Sequence, residues 1–265
     1  MPFPPPILLR FLDRTRLAEP LFRLYEAIAA LRPTLTPAGI VQPLPPASLR
    51  FKVAGTPRAF SYVDGGRKAV QSIEEILTAG GRSLSECQSI LEFGCGCGRV
   101  LTHFECDASL AGCDINQQLI DWVHEYLPSI DARVNGLQPP LSWPDSAFDL
   151  VVALSVFTHL PEPLALAWMA ELIRVLAPGG YIVFSAHGEH YLPALTASER
   201  ADFKAGKPVA RFARSAGTNL CNTYYPESWV RKTLASGLES AAFRARGARG
   251  NPEQDLYLFK KPQIP

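Results

Sequence analysis

The chain has little of what several functional classes require. Its net charge over 265 residues is only +1, from 26 Lys and Arg against 25 Asp and Glu. It therefore exerts no global pull on nucleic acid or on an acidic membrane surface. No apolar run approaches the length of a bilayer span, and Ile7-Leu8-Leu9, which follows prolines at 2, 4, 5 and 6, is too short for the core of a secretory leader. The six cysteines (87, 95, 97, 106, 113 and 221) lack the paired spacing of a zinc site. They read as reduced, small core or loop residues, which makes a cytoplasmic location the expectation. Clustered acids that would hold a catalytic metal are also missing, so no metal ligand is expected. Apolar residues, in contrast, make up 47% of the chain, enough for one large α/β domain with an appendage or for two small domains.

The most informative stretch is Ser89-Ile90-Leu91-Glu92-Phe93-Gly94-Cys95-Gly96-Cys97-Gly98-Arg99. An apolar run leads into an acid, then three glycines at alternate positions, then a helix-compatible segment over 99–104. This is the pattern of a buried strand, a tight loop and a helix start. Glycines suit such a loop because they accept φ > 0 and let a ligand lie on bare backbone. A dinucleotide fingerprint beginning at Gly94 needs glycine where Arg99 stands, and the G-K-[ST] of a phosphate-binding loop is missing. A second acid, Asp114, ends the next strand candidate. A carboxylate there can take two charge-assisted hydrogen bonds from the vicinal hydroxyls of a ribose, which points to a nucleoside without saying which one.

Three further runs complete the pattern: Asn135-Gly136-Leu137, the stretch from Phe148-Asp149-Leu150 through Leu154-Ser155 to His159-Leu160-Pro161, and Leu172–Gly180 with its Pro178-Gly179-Gly180 stop. With E-x-G-x-G-x-G and Asp114 they resemble the class I S-adenosylmethionine-dependent methyltransferases, over about residues 65–185 and a terminal hairpin. The resemblance implies S-adenosylmethionine as cofactor, lying over Glu92, Phe93, Gly94, Cys95, Gly96 and Gly98. It places the ribose at Asp114 and Ile115, the adenine at Asn135, Gly136 and Leu137, and the methionine end beside Leu154 and Ser155. The wording of the motifs is similar to that of bacterial members that act on small molecules and sugars, which implies a small-molecule or glycosidic acceptor methylated on a hydroxyl. An amine or carbon acceptor, or a non-catalytic cofactor-binding partner subunit, is the alternative. For a hydroxyl a base is needed, and neutral histidine suits that task. His159 and His187, each just past a strand's end, are the two candidates. His190, Tyr191, Tyr224 and Tyr225 are expected along the acceptor side.

Strand and helix patterns alternate from Ser89 onward, which implies a parallel sheet with the ligand beyond the carboxyl ends of its strands. The expected strands are 89–93, 110–114, 132–134, 148–154 and 181–185, with a final pair at 241–245 and 255–260 around Gly250-Asn251-Pro252. The expected fold is Rossmann-like and doubly wound, a mostly parallel seven-stranded sheet with a C-terminal antiparallel hairpin. Residues 1–60 read as a helical, proline-rich arm, its helix opening at Pro20, and 61–265 as the main domain. In that domain Asp64-Gly65-Gly66 reads as a turn and about 186–225 as an insertion or lid. The arm is expected over the acceptor side or at a contact between subunits of a homodimer, away from the glycine loop.

Overall fold

The computed structural model describes residues 43–250 and 253–263, with isolated positions between 20 and 28. Of the helix expected from Pro20 only Pro20, Leu21, Leu24, Ala27 and Ile28 are described, each helical, and most of the turn at 250–252 lies outside the described residues. From residue 43 onward the chain forms two helices, α1 (Ala47–Ala54) and α2 (Ala59–Ala79). Strands and helices then alternate: β1 (Ser89–Phe93), β2 (Ser109–Asp114), α3 (Gln117–Tyr126), β3 (Asp131–Val134), β4 (Phe148–Ala153), α4 (Glu162–Val175) and β5 (Leu176–Ala186). A smaller lobe follows, with α5 (Ala197–Lys204), β6 (Val209–Arg211) and β7 (Asn222–Tyr224). After α6 (Glu227–Trp229) and a wide π turn over Val230–Leu234 come β8 (Glu239–Ala248) and β9 (Gln254–Lys260).

One seven-stranded sheet runs in the order β3-β2-β1-β4-β5-β9-β8. Its first five strands are parallel, and β9 pairs antiparallel with both β5 and β8. The expected sheet is the one formed, with strand ends moved by up to five residues. Central strands of a parallel sheet are covered on both faces and need apolar residues at every position. Accordingly Ile90, Leu91, Val151 and Val152 are all completely buried. On one face Ile73, Ile76 and Leu77 of α2 pack with Ile120 and Val123 of α3. On the other, Trp168, Leu172 and Val175 of α4 meet an aromatic stack in which Phe184 lies 5.1 Å from Tyr257 and 5.9 Å from Phe259. Each such side chain contributes roughly 1.5–3 kcal/mol by leaving water.

Two sequence expectations change. Asp64-Gly65-Gly66 is not a turn; it lies within α2. Two helical glycines cost about 0.5–1 kcal/mol each, and close packing explains them. A Cβ on Gly66 would strike the Arg99 carbonyl and stand 2.7 Å from the His103 ring, while one on Gly65 would stand 2.9 Å from the Arg99 guanidinium. The glycines thus let α2 press against the chain that leaves the loop. That chain, read as a helix start over 99–104, forms only a 3-10 turn at Leu101–His103.

The segment 186–225 does form a lobe of its own. Tyr191, Leu195, Phe203, Val209 and Tyr224 build a separate small core. Thr196 and Glu199 cap α5 reciprocally, and Glu199 also holds the Arg211 guanidinium at 2.6 Å.

Candidate active site

β1 runs directly into the glycine loop at the carboxyl edge of the sheet. Gly94, Gly96 and Gly98 all have positive φ, at 79°, 56° and 71°. The Gly94 and Cys95 amides donate to the Cys113 carbonyl at 2.8 and 2.9 Å, which ties the loop to β2. A Cβ on Gly94 would run into Val156, and one on Gly96 would stand 2.7 Å from Val53. Above the loop opens a cleft of about 1230 Å³, ample for a small ligand. Glu92, Phe93, Gly94, Cys95 and Gly96 line it. Gly98 does not; its position packs on Leu127, and its glycine serves the turn.

The two acids behave differently. Asp114 accepts from the Gly96 amide at 3.0 Å and from the Asn116 amide at 2.8 Å, joining the loop to the start of α3. Burial raises its pKa, and these two N–H groups oppose the shift. Helix capping falls to Asn116, whose side chain accepts from the Gln118 amide at 3.0 Å. Glu92 is only 4% exposed. Burial pushes its carboxyl up to about 8, against the pull of the Arg99 charge and a Leu101 backbone hydrogen bond. One of its oxygens, Oε2, is buried with no partner, an uncommon condition for such an atom.

At the end of the cleft formed by β2 and β3, Ile115 and Leu137 are 42% and 41% exposed. Gly217 closes on both, since a Cβ there would stand 2.9 Å from Leu137 and 3.4 Å from Ile115. The Leu137 carbonyl is held by the Trp168 indole N–H at 2.9 Å, and Trp168 packs on Phe93 at 4.5 Å. Asn135 and Gly136 complete this end, with the Asn135 Oδ1 unpartnered. Residues 51–55 and 216–220 also line the cleft. The position of α1 corrects the expectation for the arm, because Val53 sits on Gly96 of the glycine loop. Lys52 reaches over the cleft edge to Gln118 at 2.9 Å.

Past β4 the cleft is lined by Leu154, Ser155, His159 and His187. Ser155 has φ 60°, unusual for a residue with a side chain. His159 Nδ1 lies 2.7 Å from the Cys221 carbonyl. A carbonyl can only accept, so the proton sits on Nδ1 and Nε2 carries a bare lone pair. Burial lowers the His159 pKa below the ordinary 6.5, with the Cys221 bond opposing. His187 is pushed further down, to about 3, by burial first and then by the neighbouring His159. Its Nδ1 is buried without a partner, and its ring packs 4.3 Å from Tyr191 and 5.3 Å from Tyr224. Both imidazoles are therefore neutral at neutral pH.

The other expected acceptor-side residues stand back from the cleft. Tyr191 and Tyr224 act as walls for His187, and the Tyr225 hydroxyl is spent on the Leu160 carbonyl. His190 is at the surface beside Glu253. Arg99, Trp168, Gln254, Asn222 and the residues at 51–55 and 216–220 were not legible as lining residues. Among the described residues no group of three or more His, Cys, Asp or Glu is placed to hold a metal, and no helix is long and apolar enough to cross a membrane.

The donor set fits a nucleoside carrying an amino-acid tail. Asp114 offers its remaining lone pairs to a diol, Ile115 and Leu137 offer apolar surface to a planar base, and the unpartnered Glu92 oxygen offers a site to an ammonium group. Residues 90–180 match the family model described as a methyltransferase domain. The chain is 32% identical over 106 residues to an uncharacterized methyltransferase of Schizosaccharomyces pombe, covering 35% of this chain and 37% of that protein. It is 28% identical over 138 residues to a phosphatidylethanolamine N-methyltransferase of Cereibacter sphaeroides, covering 48% and 61%. A crystal structure of a SAM-dependent methyltransferase from Methanosarcina mazei shares the fold, with TM-score 0.50 and 21% identity over 66% of this chain and 93% of that one. The alignments thus span less than two thirds of either curated relative. Residues 90–180 thus match a methyltransferase domain, and the sheet that carries them has the fold of a solved S-adenosylmethionine-dependent methyltransferase.

Proposed function

We propose that this chain transfers a methyl group from S-adenosylmethionine to a hydroxyl of a small-molecule or glycosidic acceptor. The observation that carries the reading is the bare Nε2 of a neutral His159, lining the cleft just past β4. When bound, S-adenosylmethionine supplies a methyl already activated by its sulfonium. What remains for the chain is alignment and removal of one proton. Alignment falls to the glycine loop, Asp114 and the apolar pair Ile115 and Leu137, and such positioning is worth on the order of 7–11 kcal/mol in favourable cases. Proton removal falls to His159, which accepts the hydroxyl hydrogen at Nε2 while Nδ1 stays fixed on Cys221. His187, neutral over the same pH range, offers a second polar contact at Nδ1.

An amine acceptor is the second reading, favoured by the similarity to an N-methyltransferase of phosphatidylethanolamine. Against it, the only carboxylates among the described lining residues are Glu92 and Asp114, both at the cofactor end. The test is transfer of a tritiated methyl from S-adenosylmethionine to size-matched panels of hydroxyl and amine acceptors. Label in hydroxyl acceptors is the expected result. Label confined to amines overturns the hydroxyl assignment, and bound cofactor with no transfer to either panel marks a non-catalytic subunit.

A further inference from the structure

Beside Ser155 lies a closed ring of three hydrogen bonds. The Ser155 amide donates to Ser185 Oγ at 2.7 Å, the Ser185 hydroxyl donates to Gln254 Oε1 at 2.6 Å, and Gln254 Nε2 donates back to Ser155 Oγ at 2.8 Å. Their directions follow from chemistry. An amide N–H only donates and an amide oxygen only accepts, so Ser185 must give its hydrogen to Gln254. Ser155 Oγ must then receive from the Gln254 nitrogen, and its own hydrogen is left outside the ring. Ser185 is completely buried and Gln254 is 1% exposed, yet Gln254 and Ser155 both line the cleft. The ring also holds Ser155 in its left-handed conformation, a backbone state that persists only where its surroundings enforce it.

We infer that Gln254 is a positioning residue that makes the site select a hydroxyl over an amine, by turning the Ser155 O–H out of the ring and toward the cleft that His159 also lines. The inference rests on the methyl-transfer reading above and specifies what its acceptor pocket recognises. An alcohol oxygen can accept from Ser155, give its hydrogen to His159 and still hold a lone pair for the methyl. That lone pair forms the new C–O bond as the S–C bond breaks, and the proton passes to His159 Nε2. An ammonium has only hydrogens and meets the Ser155 hydrogen head on. A neutral amine that accepts from Ser155 has no lone pair left to attack with, and a carboxylate has no hydrogen for His159.

Gln254→Glu should reverse this polarity. A carboxylate accepts from both serines, so the Ser155 hydrogen turns into the ring and its lone pairs face the cleft. The experiment titrates benzyl alcohol and benzylammonium, similar in size, into protein loaded with S-adenosylhomocysteine, and follows the His159 Nε2 resonance in ¹⁵N-histidine spectra. The wild type should respond to benzyl alcohol at about tenfold lower concentration than to benzylammonium, Gln254→Glu in the opposite order, and Gln254→Met with no preference. Equal or reversed preference in the wild type, no response to either probe, or the wild-type order retained in both variants overturns the inference. Calorimetry of S-adenosylhomocysteine binding separates the two levels. If that binding is absent the parent reading fails, whereas intact binding with an unchanged order in the variants sinks this inference alone.

Discussion

The Asn219 side-chain amide donates to the Lys52 carbonyl at 2.8 Å, joining residues 167 positions apart in the chain. One segment is α1 and the other is the loop before β7, and both line the cleft. Neither the glycine loop nor Asp114 makes this connection, so the roof over the cleft is built from parts of the chain outside the glycine-loop and Asp114 motifs.

Asn219→Ala should loosen that roof without unfolding the protein. The expected result is faster release of S-adenosylhomocysteine, by about three- to tenfold, from the loss of one hydrogen bond worth roughly 0.5–1.5 kcal/mol. Stopped-flow displacement measures it. An unchanged release rate would mean that the roof is held by packing alone.

Asp114→Asn should weaken both cofactor binding and the fold. Asparagine has a single accepting oxygen, so it cannot take the Gly96 and Asn116 amides on separate oxygens as the carboxylate does. Loss of charge-assisted contacts to a diol should cost roughly 2–4 kcal/mol of cofactor affinity, and the lost stitch about 1 kcal/mol of stability. Calorimetry and thermal denaturation read these separately, and an unchanged affinity would remove Asp114 from the ribose site.

His159→Ala should lower turnover by about 10²–10⁴-fold with little change in cofactor affinity. In the wild type the rate should fall on the acid side only below pH 6.5, because burial lowers the His159 pKa and the imidazole stays neutral at higher pH. The variant's pH profile should lose that limb. A near-normal rate in His159→Gln would assign the proton to another group, with His187 the next to test.

Glu92 and His187 should give opposite pH dependence to stability. The Glu92 carboxyl is raised to about 8 from its ordinary 4.5, so its contribution is fully present below 4.5 and is lost as the pH rises toward 8. His187 is lowered to about 3 from 6.5, so its contribution is present above 6.5 and is lost as the pH falls toward 3. Glu92→Gln, a neutral isostere, should gain stability relative to the cofactor-free wild type between pH 5 and 8, by roughly 2–4 kcal/mol in all. Calorimetric melting across that range checks the sign. A gap that shrinks with rising pH would show that the carboxyl is ionised and paired.

The parallel sheet and the glycine loop at its edge were legible because local chemistry writes them. Runs such as Leu150–Leu154 are apolar at every position, and alternate glycines after Glu92 have few other uses. The acceptor end was only partly legible, because its residues are joined by topology. Nothing around Gln254 in the sequence distinguishes it from any polar residue that begins a strand. It becomes informative only when β9 inserts beside β5 and brings it to Ser185 and Ser155. Gly65 and Gly66 misled for a related reason. Their spacing reads as a turn, while the cause is a helix pressed against Arg99, a contact with no local signature. Val53 likewise lies in a stretch whose sequence gives no reason to place it on Gly96.

Gln254 comes from β9, the last described strand in chain order, which leaves the ribosome well after β1 and β2. The glycine loop and Asp114 are synthesised long before it, so a nascent chain can possess the glycine-loop end of the cleft while the end around Ser155 is unfinished. The Ser155 hydrogen acquires a fixed direction only when β9 slides between β5 and β8. Synthesis therefore orders the two halves in time. A chain released before that strand would keep the glycine loop and Asp114 and lack the hydrogen-bonded ring around Ser155.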